Sequence, residues 1–434
     1  MRDTSIWKRV LGLDKTVINA TRWDDNLDAM IVSVRPNARA CSRCGICNRR
    51  CSRYDRGHGV RLWRTVDVGL AHTYLEAEAP RVTCRFHGVV VAAVPWARHG
   101  AGHTRVFDDT VAWLATHTSK SATGELTRIA WRTVGAIVDR VWADSEHATD
   151  RFAGLTRIGI DEISYKRGHK YLTVVVDHST GRLVWAAAGR DKATLEKFFT
   201  LLGEQRSAQL THITADAASW IAHVVAARAP QAVRCADPFH IVAWATKSLD
   251  KVRRSAWNRA RRTEPSRQAS QWHARTKPDR SSPSHQVKNV RWALLKNPEN
   301  LTARQKTQLE WVALHDPLVH RAYLLKEELR LIFALDHTAA EPELDAWLDR
   351  AAGSGITEFV ALAGSVAAQR APILAAIEHG LSNGRIESVN TKIRLITRQA
   401  FGFATPESLI ALAMLSLGGD PPRLPTLVDP RMRQ

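Results

Sequence analysis

Three carboxylates lie in contexts that suit metal-assisted phosphoryl transfer. Asp161 and Asp216 each lie where a short predicted strand ends, and functional sites form where strand ends meet at one edge of an open α/β sheet. Glu387 opens a predicted helix and shares its face with Asn390 and Arg394. A single aspartate at a strand end more often caps a turn or a helix. Three carboxylates in this order instead favour a site for two Mg²⁺ (or Mn²⁺) ions, which prefer oxygen ligands and stabilise both the attacking and the leaving oxygen.

The cysteines are clustered. Five of the six lie between Cys41 and Cys84, and His87 follows the last of these. Thiols at such short spacing indicate a metal site in a reducing compartment, and zinc takes four ligands from two short knuckles of this kind. Two registers are open at the first knuckle, one with Cys41 and Cys44 and one with Cys44 and Cys47; unmetallated thiols are the alternative. A closed site would be structural and would stabilise a small DNA-binding module.

The charge balance predicts a polyanionic partner. The chain has 62 Lys and Arg against 43 Asp and Glu, a net charge of +19, and neutralising phosphates releases counterions from nucleic acid. A membrane surface is the competing partner, but no run of about eighteen apolar residues exists, and we recognise no signal peptide. We therefore expect nucleic acid and no membrane as partner, and the clustered cysteines indicate a cytoplasmic protein.

The elements that must position the aspartates alternate between strands and helices. A first strand is followed by two strands joined by a turn at His178–Gly181 and by a helix that stops at Gly203. Two further strand–helix units follow. This layout predicts an RNase H-like core, a mixed five-stranded sheet with flanking helices. The predicted strands are Arg157–Ile163, Tyr171–Val176, Leu183–Ala188, His212–Ala215 and Ala232–Ala236.

A helix-turn-helix precedes this core. Ser121–Val141 predicts two helices with a tight turn near Arg128–Ala130, and Ala122 and Leu126 are expected to pack against the second helix. A helical hairpin without DNA contact is the alternative. The residues that the second helix would present to a major groove are Trp131, Arg132, Thr133, Ala136 and Arg140.

A long segment separates the second aspartate from the glutamate. About 170 residues lie between Asp216 and Glu387, far more than an uninterrupted core needs. Residues 251–292 are strongly basic, and helical patterns follow from Thr302, so this region predicts an all-α insertion domain. Tryptophans among its basic residues are candidates for stacking on unpaired bases; they are Trp257, Trp272 and Trp292.

Three stretches resemble the transposases of the insertion-sequence family ISL3, which belongs to the DDE, or RNase H-like, superfamily. They are Ile158–Tyr171, Ala215–His240 and Ser382–Phe403, and the resemblance covers nearly the whole chain. It implies strand cleavage and strand transfer on double-stranded DNA, with two divalent ions per active site, by a bacterial protein associated with the nucleoid. The catalytic triad that it implies is Asp161, Asp216 and Glu387.

The resemblance also bears on the neighbouring residues. The segment from Cys44 to Gly88 resembles the zinc-binding region of the same family, which favours Cys44, Cys47, Cys84 and His87 as zinc ligands, with Cys41 as the alternative. The family carries Asp-x-Phe-His at Asp237–His240, which implies a supporting role near the metals; a helix cap by Asp237 with a structural His240 is the other interpretation. The residues expected to contact DNA on the helix of Glu387 are Asn390, Arg394 and Arg398.

Glu162, adjacent to Asp161, is expected to point away from the ions and to be structural.

Together these features predict a DNA transposase that binds the terminal inverted repeats of its own element. It would act as a homodimer or higher oligomer, by hydrolysis at the element's end and then transesterification into target DNA. A zinc and helix-turn-helix regulator and a nuclease that only hydrolyses are the alternatives. The predicted domains are an N-terminal segment (1–35), a zinc-binding module (36–98), a helix-turn-helix domain (100–148), the first part of the core (150–245), a basic and helical insertion (246–378), the core helix with Glu387 (379–420) and a tail (421–434).

Overall fold

The structure, a computed structural model, describes residues 3–264 and 282–425. The chain forms two compact units, Met1–Arg151 with Ile393–Gln434, and Phe152–Lys392. Residues 265–281 of the predicted insertion, with Trp272, and the tail beyond residue 425 lie outside the described residues.

The first unit begins with a helix and two small sheets. The elements are α1 (Asp3–Val10), β1 (Thr16–Asp24), β2 (Ala29–Pro36), β3 (Ser52–Asp55), β4 (Val60–Val68), β5 (Ala71–Glu78), β6 (Arg81–Cys84) and β7 (Gly88–Val91). The strand orders are β1-β2-β5-β4 and β3-β6-β7. Because β2 runs parallel to β5, with Ala29 opposite His72, residues 1–35 supply two strands of the larger sheet. Leu75 and Ala77 alternate with more exposed residues of β5, as expected for a strand with one face on a core.

Three helices follow in the same unit: α2 (Arg105–His117), α3 (Lys120–Thr127) and α4 (Trp131–Ala148). The predicted tight turn is confirmed, because Arg128 ends α3 in the left-handed conformation, at φ 53°. Val134 and Ile137 are fully buried on α4. The amphipathic pattern therefore identified the face of α4 that packs inward.

The predicted packing of α3 is wrong. Ala122 is exposed and Leu126 is 68% exposed, whereas Thr123 and Gly124 are the buried residues of the helix. A Cβ added at Gly124 would lie 2.7 Å from the backbone oxygen of Ile129. The absence of a side chain at Gly124 thus lets the backbone of the turn approach, and the buried face of α3 is rotated from the one that the larger apolar residues suggested.

The second unit contains a mixed five-stranded sheet, as predicted. Its strands are β8 (Arg157–Lys166), β9 (Lys170–Asp177), β10 (Leu183–Ala188), β11 (His212–Ala215) and β12 (Val233–Ala236), in the order β10-β9-β8-β11-β12. The pairs among β8, β9 and β10 are antiparallel, and β11 is parallel to both β8 and β12. The flanking helices are α5 (Lys192–Leu202), α6 (Glu204–Ser207) and α7 (Ser219–Arg228).

The remaining described elements are helical. They are α8 (Pro238–Thr263), α9 (Pro283–Asn289), α10 (Arg291–Leu295), α11 (Ala303–His315), α12 (Pro317–Ile332), α13 (His337–Ala352), α14 (Thr357–Ala367), α15 (Arg370–Glu378), α16 (Gly384–Gln399) and α17 (Pro406–Leu417). Helices α8 to α15 share one apolar core, with Trp347 fully buried. By contrast α17 packs against α2 and α4 in the first unit.

No single helix in the described ranges has the length and apolar composition of a membrane span. The helices α14 and α15 reach this length and apolar composition only when they are taken together, and they are bent by 67° at the break between them.

Candidate active site

Two of the predicted catalytic carboxylates lie at matching positions on neighbouring parallel strands. Ile160 of β8 pairs with Ala215 of β11. Asp161 and Asp216 are the residues that follow this pair on the two strands. Each carboxylate accepts a hydrogen bond from the backbone N–H that follows it, 2.7 Å from Glu162 to Asp161 Oδ1 and 2.5 Å from Ala217 to Asp216 Oδ1. These bonds hold one oxygen of each carboxylate in place. The prediction that both aspartates end their strands is wrong for Asp161, because β8 continues past it to Lys166 by pairing with β9. Asp161 instead lies where the pairing of β8 with β11 ends.

Helix α16 packs directly on β8. The Asn390 side chain donates a hydrogen bond of 2.7 Å from Nδ2 to Asp161 Oδ2. A Cβ added at Gly159 would lie 2.0 Å from Ile386 Cδ1, so only glycine permits this close approach of helix and strand. Glu387 lies between these contacts, one helical turn before Asn390, and side chains at that spacing have Cβ atoms about 5–6 Å apart.

The start of α16 has its own anchor on the sheet. The Arg385 guanidinium donates to the backbone oxygens of His178 and Ser179. Sequence reasoning did not single out Arg385 or Gly159, although a glycine two residues before a predicted strand-end aspartate is a signal for close backbone approach.

The Asp237–His240 pair lies beside the same aspartates. Asp237 caps α8 by accepting from the Phe239 N–H and also accepts from the Asn383 N–H, at 3.4 Å. His240 Nδ1 lies 2.6 Å from Asp237 Oδ2, and its Nε2 lies 3.9 Å from Asp216 Oδ2. The predicted helix cap is confirmed, and the cap also fixes the imidazole next to Asp216.

The electrostatics of the site are those of a crowded acidic cluster. Burial raises the pKa of Asp161 above its ordinary value, and the charges of Asp237 and Asp216 raise it further. The hydrogen bond to Asp237 and then the charges of the carboxylates around it raise the pKa of His240 to about 9. Oxygen donors crowded in this way fit a divalent cation, which would stabilise their ionised forms.

In the described residues, the three proposed catalytic carboxylates are not all close to one another. Glu387 is exposed, and the oxygens of Asp161, Asp216 and Glu387 do not all lie within 4.8 Å of one another. Glu162, expected to be structural, is nearly buried and pairs with Arg190 Nε at 2.5 Å. Burial and then the charges of Asp216 and Asp161 raise the pKa of Glu162, so the adjacent acid is an ion-paired neighbour of these aspartates.

The cysteine region does bring a four-ligand set together. The ligand atoms of Cys44, Cys47, Cys84 and His87 all lie within 4.8 Å of one another. The Cys47 and Cys84 sulfurs are 3.8 Å apart, and a tetrahedron with Zn–S bonds of about 2.3 Å has edges of about 3.8 Å. The backbone N–H of Phe86 contributes most to lowering the pKa of Cys84 to about 6, which favours the thiolate that binds zinc.

The other cysteines of this region lie outside that set. Cys41 is exposed and donates to the Ala38 oxygen at 3.3 Å, and Cys51 donates to the Arg49 oxygen at 3.4 Å.

The residues predicted to contact DNA differ in exposure. Arg132 is exposed and Thr133 half-buried at the start of α4. Arg140 is half-buried, with its Nε 3.6 Å from the fully buried carboxylate of Asp108. Asn390 differs from its prediction, because it is buried and bonded to Asp161 rather than exposed. The remaining two, Arg394 and Arg398, are exposed.

Two of the three tryptophans proposed for base stacking are described. Trp257 is packed against the helical core, whereas Trp292 is 64% exposed with the Arg291 guanidinium 5.1 Å from its ring centre.

Comparison with known proteins assigns these regions consistently. Residues 158–413 match a family described as transposase, of the DDE type of ISL3 elements. Residues 92–142 match the helix-turn-helix domain of transposase family ISL3, and residues 41–87 match the zinc-finger of the IS204, IS1001, IS1096 and IS1165 transposases.

Whole-length relatives agree with these matches. The chain is 56% identical over 436 residues to the transposase for insertion sequence element IS1557 in two strains of Mycobacterium tuberculosis, and the match covers 98% of each chain. It is 24% identical over 414 residues to the transposase for insertion sequence element IS1001 of Bordetella parapertussis, covering 94% of this chain and 96% of that one.

Proposed function

This chain belongs to the ISL3 family of DDE transposases, DNA-binding enzymes that cut and join DNA, and we propose that Asp161, Asp216 and Glu387 are its catalytic carboxylates. One observation carries this assignment. The hydrogen bond from Asn390 to Asp161 ties α16 to β8, and Glu387 precedes Asn390 by one turn of the same helix, which supports a place for it beside the two aspartates.

The chemistry of this family depends on a divalent metal ion, which we assign as Mg²⁺ with Mn²⁺ as a substitute. When bound, a pair of such ions stabilises negative charge on the attacking and leaving oxygens of the phosphodiester. The carboxylates of the triad would hold them, because their donor atoms are hard oxygens. Asn390 then acts as a positioning residue, since its amide restrains one Asp161 oxygen. Asp237 positions His240 beside Asp216 in the same way.

The reaction would take place in two displacements at one site. In the first, water attacks the phosphodiester at the element's end, the P–O bond to the 3′ oxygen breaks, and a 3′-hydroxyl is released. In the second, that hydroxyl attacks a phosphodiester of target DNA and displaces its 3′ oxygen. Each step exchanges one P–O bond for another, and no protein–DNA bond is formed.

DNA recognition falls to the zinc and helix-turn-helix regions. Zinc bound by Cys44, Cys47, Cys84 and His87 would stabilise the fold of the zinc-binding region. Arg132 and Thr133 of α4 would contact bases at the terminal inverted repeats, while Arg394 and Arg398 would contact phosphates. The ion pair of Arg140 with Asp108 would help to hold α4 in position.

The wider organisation of the protein is proposed in the same terms. The five-stranded sheet with α16 would be an RNase H-like core, interrupted by an insertion at residues 246–378. At least two copies of the chain would pair the two element ends, and the DNA substrate would place the protein at the bacterial nucleoid.

The test replaces each carboxylate by its amide. Asp161→Asn, Asp216→Asn and Glu387→Gln should each slow Mg²⁺-dependent nicking of end-containing DNA by about a thousandfold or more, because about 4 kcal/mol of charge stabilisation is lost. End binding, measured by gel shift, should be retained. The exposed Glu204 supplies a matched control, since Glu204→Gln should nick at the normal rate. Normal nicking by Asp161→Asn would refute the assignment.

A second assay separates transposition from hydrolysis alone. A pre-cut end with a free 3′-hydroxyl should be joined to a plasmid by the wild-type chain, and hydrolysis without joining would favour a nuclease.

A further inference from the structure

A basic cavity of about 610 Å³ lies in the first unit, within the range of about 300–1,000 Å³ that ligand sites occupy. Six Lys and Arg side chains line it against one carboxylate, that of Asp14. Arg98 and Arg105 are already paired with Asp144. The other four have no carboxylate within 4.0 Å in the described part of the chain; they are Lys15, Arg39, Arg43 and Arg61. These four unpaired cations outnumber the one carboxylate that lines the cavity by three.

Two of these four cations are held by backbone oxygens that leave their charge uncompensated. Arg43 donates to the oxygens of Arg39 and Asn48, at 3.3 Å and 3.0 Å. Arg61 donates to the Ala101 oxygen at 2.8 Å and lies 5.2 Å from the ring centre of the buried Trp63. A guanidinium fixed in this way keeps free N–H groups in a planar fork, which matches the oxygens of a phosphate.

A second hollow, beside helix α4, adjoins the cavity. A depression of about 500 Å³ is lined by Arg132 and Thr133 and shares His99 and Gly100 with the cavity. No carboxylate lines it among the described residues. His99 also lies against the zinc-binding knuckle, because a Cβ added at Gly45 would be 2.2 Å from its Nδ1. A free phosphate would occupy one of the two hollows, whereas a ligand that spans both must carry phosphates at intervals.

We propose that this cavity binds backbone phosphates of duplex DNA, next to the segment of the same duplex that contacts α4. The proposal rests on the proposed binding of element ends by the helix-turn-helix. Its contacts are to phosphates rather than to bases, so they strengthen binding to every sequence alike and contribute to the salt dependence of affinity.

The experiment measures that salt dependence with the full chain. Fluorescence anisotropy with an end-containing duplex and an unrelated duplex, over a KCl series, gives the slope of log affinity against log salt. In the double variant Lys15→Gln/Arg39→Gln the slope should fall in magnitude by about 2 on both duplexes, because each lost phosphate contact removes about 0.9. Lys8→Gln/Arg56→Gln removes the same charge from two exposed residues outside the cavity and should leave the slope unchanged.

The outcomes separate the cavity from the function on which it rests. An unchanged slope in the cavity variant, or an equal fall in the control variant, would overturn the proposal while leaving end recognition intact. A wild-type chain without preference for the end would refute end recognition, and the slopes would still test the cavity. Calorimetric titration with inorganic phosphate and with dAMP tests whether the cavity binds small phosphate compounds instead. If the wild-type chain binds them, the cavity variant does not, and the DNA slope is unchanged, the cavity is a small-anion site and the proposal is overturned.

Discussion

Removal of the Asn390 amide tests how the catalytic aspartate is held. In Asn390→Ala, Asp161 Oδ2 loses its 2.7 Å donor, while Oδ1 keeps its bond to the Glu162 N–H. The Asn390 Oδ1 atom is buried without a partner in the described residues, so its loss leaves no other group unpaired. The substitution therefore isolates one contact to the carboxylate.

The size of the effect follows from the kind of bond. A hydrogen bond to a charged group is worth about 1.5–3 kcal/mol, and about 1.36 kcal/mol corresponds to a tenfold change in rate. We therefore expect nicking to slow by about 10- to 150-fold. Because an Asp161 carboxylate held by one bond instead of two binds a cation less well, the Mg²⁺ concentration for half-maximal rate should also rise. Asn390→Asp should be slower still, because it adds a further negative charge next to Asp161.

The assay is single-turnover nicking of end-containing DNA across a Mg²⁺ series, with end binding and the melting temperature measured in parallel. Ser388→Ala, at an exposed position on the same helix, is the matched control and should behave as wild type. A normal Mg²⁺ midpoint in Asn390→Ala would refute the positioning role. A slower rate with an unchanged midpoint and a lowered melting temperature would show that the contact serves folding alone.

Three further predictions concern the scaffold. Cys44→Ser should abolish zinc binding, measured by atomic absorption, and with it end binding, because a structural zinc site contributes folding energy; Cys41→Ser should keep both. Burial lowers the pKa of His178 to about 4, so the unfolded chain takes up this proton first and the melting temperature should fall between about pH 6.5 and pH 4; a dependence equally steep in His178→Asn would contradict this. Arg98→Ala should lower the free energy of unfolding by about 3 kcal/mol in denaturant titrations, since Asp108 is fully buried beside it; a change below about 1 kcal/mol would show that the other partners of Asp108 suffice.

Local patterns predicted the strands of the sheet well, except that β8 extends past Asp161 to Lys166. The strands around Asp161 and Asp216 were predicted because short apolar runs bounded by turns have few alternatives, and Gly203 ends α5 as expected. The spacing of Glu387 and Asn390 showed that they share a helix face. It could not show what covers that face, because the contact of Asn390 with Asp161 joins residues more than two hundred positions apart.

The errors have the same physical origin. The packing of α3 was misjudged because Leu126 suggested a buried face, whereas the space available at Gly124 decided it. Residues 1–35 were predicted to be a segment apart from the cysteine region, because the parallel pairing of β2 with β5 leaves no local signal in the sequence. In each case the deciding contact is made by residues distant in sequence or by the absence of a side chain.

The most direct test of the shared metal site maps the protein segments around it. Fe²⁺ exchanged for Mg²⁺, with ascorbate and peroxide, produces hydroxyl radicals at the bound ion that cut the nearest backbone. The account predicts cuts in three segments, around Asp161, Asp216 and Glu387, suppressed by excess Mg²⁺ and absent in Asp161→Asn. Cuts near the two aspartates with none near Glu387 would contradict it.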